Sequence, residues 1–265
     1  MFFEGIDPHD IRPGELNDGY FLSALQILSE NPALVKRLFI QDTFNEKGFY
    51  KIRLCKDGQW QVVTIDDYFP CYVNGGPIFT FGEGNELWVM LLEKAYAKTF
   101  GTYQNLIGGS CHEALEDLTG CPTEHIIFPS FKDDFEQKDE EYWDTIQAWF
   151  SKGYLIYGNT ELDPAWDQGG SEASHFYSII NLVESEGIKL LKIRNAWGVF
   201  TWDGAWSNGH ENWEENPTVK SLCKYTGEED GTFWISFDDY YNLFNSIHVN
   251  KVEEWNEIRL PGKFI

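Results

Sequence analysis

Basic residues are scarce in this chain: 20 Lys and Arg stand against 43 Asp and Glu in 265 residues, a formal charge of −23. A surface with that balance repels phosphate backbones, so sequence-independent nucleic-acid binding is excluded as an expectation. It suits divalent cations, basic partners, or solubility alone. Cysteine is sparse as well. Cys55, Cys71, Cys111, Cys121 and Cys223 include no C-x-x-C pair, so neither a zinc module nor a disulfide framework is expected. Reduced thiols in a cytoplasmic setting are the simplest account. No apolar run approaches the ~20 residues that span a bilayer, and Met1-Phe2-Phe3-Glu4-Gly5 lacks the basic and apolar regions of a leader peptide. Membrane insertion is not expected. Low-complexity composition is missing too: 42 % hydrophobic residues and 17 % aromatics, with 11 Trp, are enough for a packed core.

What is present reads as helical first and β-rich later. Phe21, Leu22, Ala24, Leu25 and Leu28 recur at helical spacing until Asn31-Pro32, and Asp18 stands where a carboxylate can cap the helix start. A hairpin is predicted over 49–54 and 60–65 around Lys56-Asp57-Gly58. A second strong helix is predicted over 86–98, stopped by Gly101. Gly108-Gly109 marks the expected boundary, followed by helices over 111–118 and 141–151. Segments 154–157, 175–183 and 188–193 then carry the β-branched and aromatic residues of strands.

Residues able to do chemistry concentrate in two places. Segment 10–24 opens the first helix, and Gly169-Gly170-Ser171-Glu172-Ala173-Ser174-His175 is followed by Arg194-Asn195-Ala196-Trp197-Gly198. A His at the start of one strand and an Asn at the end of the next can be neighbours in an antiparallel pair. The Asn amide oxygen would then fix the imidazole tautomer, which is the base half of a Cys-His-Asn apparatus. A buried His bonded to an Asn is also a common structural pairing, and the two residues alone leave both readings open.

The wider wording is more specific. Gly84-Asn85-Glu86-Leu87-Trp88 runs into Leu92-Glu93-Lys94-Ala95-Tyr96-Ala97-Lys98. Gly108-Gly109-Ser110, Glu116-Asp117-Leu118-Thr119-Gly120, Leu191 to Gly198, Trp202-Asp203-Gly204-Ala205-Trp206-Ser207 and Asp230-Gly231-Thr232-Phe233-Trp234 follow in order. Over almost its whole length the chain resembles the protease core of the calpain family. The resemblance implies an α+β, papain-like fold of two lobes, a helical one over 1–108 and a β-rich one over 109–250. Residues 251–265 resemble the start of the β-sandwich domain that usually follows such a core.

The resemblance also implies roles. His175 falls on the catalytic base, Asn195 on its orienting partner and Trp197 on the indole that shields them. The nucleophilic Cys should follow the first helix's Gly-Asp; here Asn17-Asp18 is followed by Gly19. The oxyanion-hole Gln falls on Pro13. A thiol mechanism needs a thiolate beside the His, and loss of one oxyanion donor alone costs about 10²–10³ in rate. Cys111 beside His112 is not expected to substitute, because it lies where the family places a small side chain. Two functional expectations follow. The favoured one is a catalytically inactive, calpain-like binding or structural module that holds an extended peptide in its cleft, with a cytoskeletal, ciliary or axonemal place implied by analogy. The other is a calcium-dependent cysteine endopeptidase whose nucleophile has been replaced at position 19; the second loss at Pro13 argues against it. For Ca²⁺, the resemblance implies a first site at Gly5 (carbonyl), Asp10 and Glu86. It implies a weakened second site at Asp230, where Thr201, Asn208 and Thr232 replace stronger ligands.

Overall fold

The computed structural model describes residues 1–3, 5–41, 43–73, 75–128, 135–160, 175–195 and 202–254, without the side chains of 135–138, 160 and 175. Strand β1 (Ile11–Arg12) leads to helix α1 (Gly19–Ser29). Every residue of α1 from Phe21 to Ser29 is buried, so the helix is enclosed on all sides rather than lying on a surface. Phe21 stacks on Tyr96 with ring centroids 4.3 Å apart. Helix α2 (Pro32–Lys36) starts where the Asn31 side chain accepts from Ala33 N at 3.2 Å, with Pro32 as its first residue.

Strands β2 (Phe49–Lys56) and β3 (Gln59–Asp66) form the expected hairpin. Asp57 and Gly58 both take positive φ, 50° and 69°, as a two-residue turn between twisted strands requires. Strand β4 (Phe81–Gly82) pairs with β1. Helix α3 (Trp88–Phe100) ends at Gly101, whose φ is 99°. Helix α4 (Cys111–Thr119) is capped by Ser110 and stopped by Gly120 in the left-handed region.

The remainder comprises β5 (Thr123–Ile127), α5 (Phe135–Ser151), β6 (Leu155–Thr160), β7 (His175–Ser185), β8 (Ile188–Arg194), α6 (Asn212–Glu215), α7 (Pro217–Leu222), β9 (Thr232–Ser236), α8 (Phe237–Leu243) and β10 (Ser246–Asn250). Six strands make one antiparallel sheet in the order β5-β10-β6-β7-β8-β9. One core gathers α1, α3, α4 and the hairpin and takes in Leu155 and Tyr157 from the sheet. A second, around Trp143, Ile193, Phe237 and Tyr240, fills the space between the sheet, α5 and α8. A third joins Trp206, Trp213, Val219 and Cys223 to Leu190 and Trp234. The result is the mixed helix-and-sheet composition expected of an α+β chain. Among the described residues no helix is long and apolar enough to cross a membrane.

Candidate functional site

Gly19 is the first residue of α1, and a β-carbon there would meet no atom within 4 Å. Its φ is not positive, so neither backbone conformation nor crowding demands glycine at this position. The adjacent backbone is tightly held. Gly108 N donates to Asn17 O at 3.2 Å, and a β-carbon on Gly109 would come within 2.5 Å of the Tyr20 ring. That close approach explains Gly109, while Gly108 takes a φ of 71°, which favours glycine. Pro13 is exposed and precedes Gly14, whose missing side chain lets the strap lie on the Phe79 backbone. Glu15 N donates to Ile78 O at 2.9 Å.

Asp18 corrects an expectation. It occupies the helix-cap position but makes no side-chain capping bond. Its carboxyl is fully buried beside the equally buried Glu93 of α3, whose charge acts on it. Glu93 also accepts from Thr80 N at 3.2 Å. Burial, then the neighbouring Glu93 charge, push the Asp18 pKa up to about 8, and burial raises Glu93 too. Charge on either carboxyl works against charge on the other. Sequence reasoning missed the pair, since 75 positions separate partners whose contact only the fold creates.

Asn195 follows β8, is buried, and donates its backbone N–H to Gly231 O at 3.0 Å. His175 opens β7, paired with Thr160 of β6. Because β7 and β8 run antiparallel with Ser178 opposite Arg194, His175 and Asn195 lie at the same end of the sheet, and α1 packs against β7. The His175 side chain, Trp197 and Thr201 fall outside the described residues. Arg194 ties this end of the sheet to α1 through Glu30, Nε to Oε1 at 2.7 Å. Cys111 is buried, and burial raises its thiol pKa, which suppresses thiolate reactivity. The His112 ring instead shares a 2.6 Å hydrogen bond with the Tyr157 hydroxyl.

The residues implied for Ca²⁺ sort into two places. Met1 O accepts from Leu87 N and Asp10 O accepts from Glu83 N, which laces the N-terminal segment to residues 81–88. Glu86 is buried, and its Oε1 accepts from Phe3 N at 2.6 Å. The Asp10 carboxylate accepts from Asp7 N at 2.9 Å and from the Trp88 indole at 3.4 Å. Gly5, with φ 119°, lies on the same segment. These are the hard oxygen donors calcium takes. Asp230 is engaged otherwise: its Oδ1 accepts from Thr232 N and Oγ1, and Lys192 Nζ lies 3.6 Å from Oδ2. Burial pushes its pKa up, but the Thr232 hydrogen bonds and the Lys192 charge outweigh burial and hold it low. A cavity of about 30 Å³ beside it is lined by Lys192, Lys224, Asn208 and Glu228. Among the described residues, no three His, Cys, Asp or Glu side chains are grouped to hold a metal ion.

Comparisons with known proteins bear on the whole arrangement. Residues 1–251 match the family model described as "Calpain family cysteine protease". The chain is 35 % identical over 257 residues to the calpain-type cysteine protease ADL1 of Oryza sativa subsp. japonica, covering 95 % of this chain and 12 % of that protein. It is 34 % identical over 257 residues to the calpain-type cysteine protease DEK1 of Arabidopsis thaliana, with the same coverage of each. Against calpain-8 of Rattus norvegicus the identity is 31 % over 283 residues, covering 98 % of this chain and 39 % of that protein. The chain thus spans well under half the length of these relatives.

Proposed function

The chain belongs to the calpain family of cysteine proteases, and from that premise we propose that it is a catalytically silent, calpain-type domain that binds an extended peptide without cutting it. The observation that carries this reading is Gly19. A cysteine protease needs a thiolate at the start of the first core helix, where the backbone N–H groups favour negative charge. Glycine supplies no atom to attack a carbonyl. Pro13, at the position of the oxyanion donor, offers no side-chain N–H to a tetrahedral oxyanion, and Cys111 is too deeply buried to serve.

In this reading the chain forms two lobes, 1–108 and 109–250, with residues 251–265 leading into a further β-sandwich. His175, Asn195 and Trp197 would line the cleft between the lobes. A peptide would be held there chiefly by backbone hydrogen bonds, as extended ligands commonly are. Gly5, Asp10 and Glu86 would hold one Ca²⁺, stiffening the seam between the N-terminal segment and α3. At Asp230 the Lys192 ammonium already supplies positive charge, so the donor set there does not fit a second calcium. A cytoplasmic role on a cytoskeletal or axonemal assembly is proposed by analogy with other nucleophile-lacking members.

One observation favours a second reading. The open space at Gly19 would accept the β-carbon of a cysteine without displacing a neighbour, as a calcium-dependent endopeptidase with a replaced nucleophile requires. Incubating the purified chain with Ca²⁺ and a fluorogenic peptide separates the two. No turnover is expected from the parent, while polarisation of a labelled, unstructured peptide should report binding. Turnover blocked by a thiol alkylator would overturn the proposal. If Gly19→Cys with Pro13→Gln restores cleavage, the remaining machinery is competent and only those two parts were lost.

A further inference from the structure

Histidine is the side chain whose charge ordinarily changes between pH 5 and 8, and three of the six in this chain meet at one place. Strand β10 lies between β5 and β6, with His248 opposite His125 on one side and Tyr157 on the other. Residues directly opposite one another share a face, so the sheet presents His125, His248 and Tyr157 as a row. Helix α4 packs across β5 and β10 and lays His112 onto that row. Its ring centroid is 4.3 Å from that of His248 and 6.4 Å from that of His125, and the latter two are 5.6 Å apart. His248 stacks on Tyr157 with centroids 5.2 Å apart at 17°, and Phe176 meets His112 and His248 edge-on.

The surroundings favour neutral rings. His248 is 6 % exposed. Its Nε2 lies 2.7 Å from Ser246 Oγ and 3.1 Å from Asn159 Oδ1, and its Nδ1 is buried without a hydrogen-bond partner. A proton added at Nδ1 would find no acceptor in place. His112 already shares its Nδ1 with the Tyr157 hydroxyl. The carboxylate that acts on His112 from its own helix is Glu116, and that oxygen accepts from Thr123 N and Oγ1. The Cys111 thiol on α4 and the Tyr157 phenol on β6 both have pKa values raised by burial and are uncharged at neutral pH.

We propose that this histidine seam is an acid-sensitive joint between α4 and the six-stranded sheet, closed while the rings are neutral and opened when they are protonated. Burial, then repulsion between the rings, hold His112 below the usual imidazole range and bring His248 down to about 3. Adding protons therefore works against the closed packing. The effect would travel, because α4 packs on α1 and Gly109, just before α4, lies against Tyr20, next to position 19.

Cys111, at the start of α4, is a built-in reporter. It is buried in the closed joint, whereas Cys71 is exposed, and neither forms a disulfide. Labelling the whole chain with 4,4′-dithiodipyridine, which reacts in acid, and mapping both sites by mass spectrometry reads the opening directly. With Cys71 as the internal reference, Cys111 labelling is expected to rise about ten-fold or more from pH 7 to pH 5. In His112→Gln and His248→Gln the rise should flatten. If those variants do not fold, His125→Gln at the exposed edge should shift the rise to lower pH. A parent profile that is flat, or a rise that persists unchanged in the folded histidine variants, overturns the proposal.

Discussion

Replacing Asp18 with asparagine tests how the buried acid pair beneath α1 is held. Asp18 is fully buried against Glu93, itself 1 % exposed. An ordinary aspartate titrates near 3.8, and this one near 8. An acid whose pKa is raised by folding is neutral in both states below the lower value, so the pair costs little there. As pH climbs, the unfolded chain gains a charge that the folded chain refuses, and the cost grows until both states ionise above the higher value. One unit corresponds to 1.36 kcal/mol, so at pH 7 the cost is about 4 kcal/mol. Asparagine keeps the shape, carries no charge, and offers an amide N–H to Glu93 at every pH. Asp18→Asn is therefore expected to stabilise the fold by about 2–4 kcal/mol at pH 7, or roughly 5–10 °C in Tm, with almost no gain at pH 4. Urea unfolding followed by tryptophan fluorescence at pH 4, 5.5 and 7 measures this. An equal difference at all three, or a variant weaker than the parent at pH 7, refutes the reasoning.

Other expectations follow from single contacts. Gly19→Ala should leave stability unchanged or raise it by about 0.5 kcal/mol, because the added methyl meets open space on a helix. Gly109→Ala should lower it by about 1–3 kcal/mol through collision with the Tyr20 ring; thermal melts compare the two. Trp213 is 1 % exposed and stacks on Tyr225 at 4.0 Å, so Trp213→Ala should cost about 3–5 kcal/mol in denaturant unfolding. Titration calorimetry with Ca²⁺ should give a heat that Asp10→Ala abolishes and Asp230→Asn leaves intact; a parent without any heat removes the N-terminal site.

Much of the first core was legible because its signals are local. Helical spacing set α1, Asp57-Gly58 set the hairpin, and Gly101 set the end of α3. The start of α3 was placed two residues early: Glu86 is used to hold the Phe3 amide, and the helix begins at Trp88. The sheet was harder. β10, with polar residues at alternate positions, was not anticipated as a strand, and it is buried at all five positions. Its polar side chains are paired in part, His248 Nε2 with Asn159 and Asn250 Nδ2 with the Cys121 carbonyl, contacts from distant parts of the chain. Of the site, the antiparallel relation of His175 to Asn195 followed from strand patterning. The Asp18–Glu93 pair and the stacked histidines did not, because nothing in the spacing of single residues marks which buried charges will face one another.

The central seat of β10 also constrains how the molecule comes into being. The strand that joins β5 to the rest of the sheet is the last one among the described residues. Until residue 250 has left the ribosome, β5 and β6 each offer a bare row of amides and carbonyls, the template on which chains aggregate. Completion depends on partners far apart in sequence, a topology that folds slowly. A nascent or truncated chain lacking those five residues would need chaperone cover that the finished domain does not.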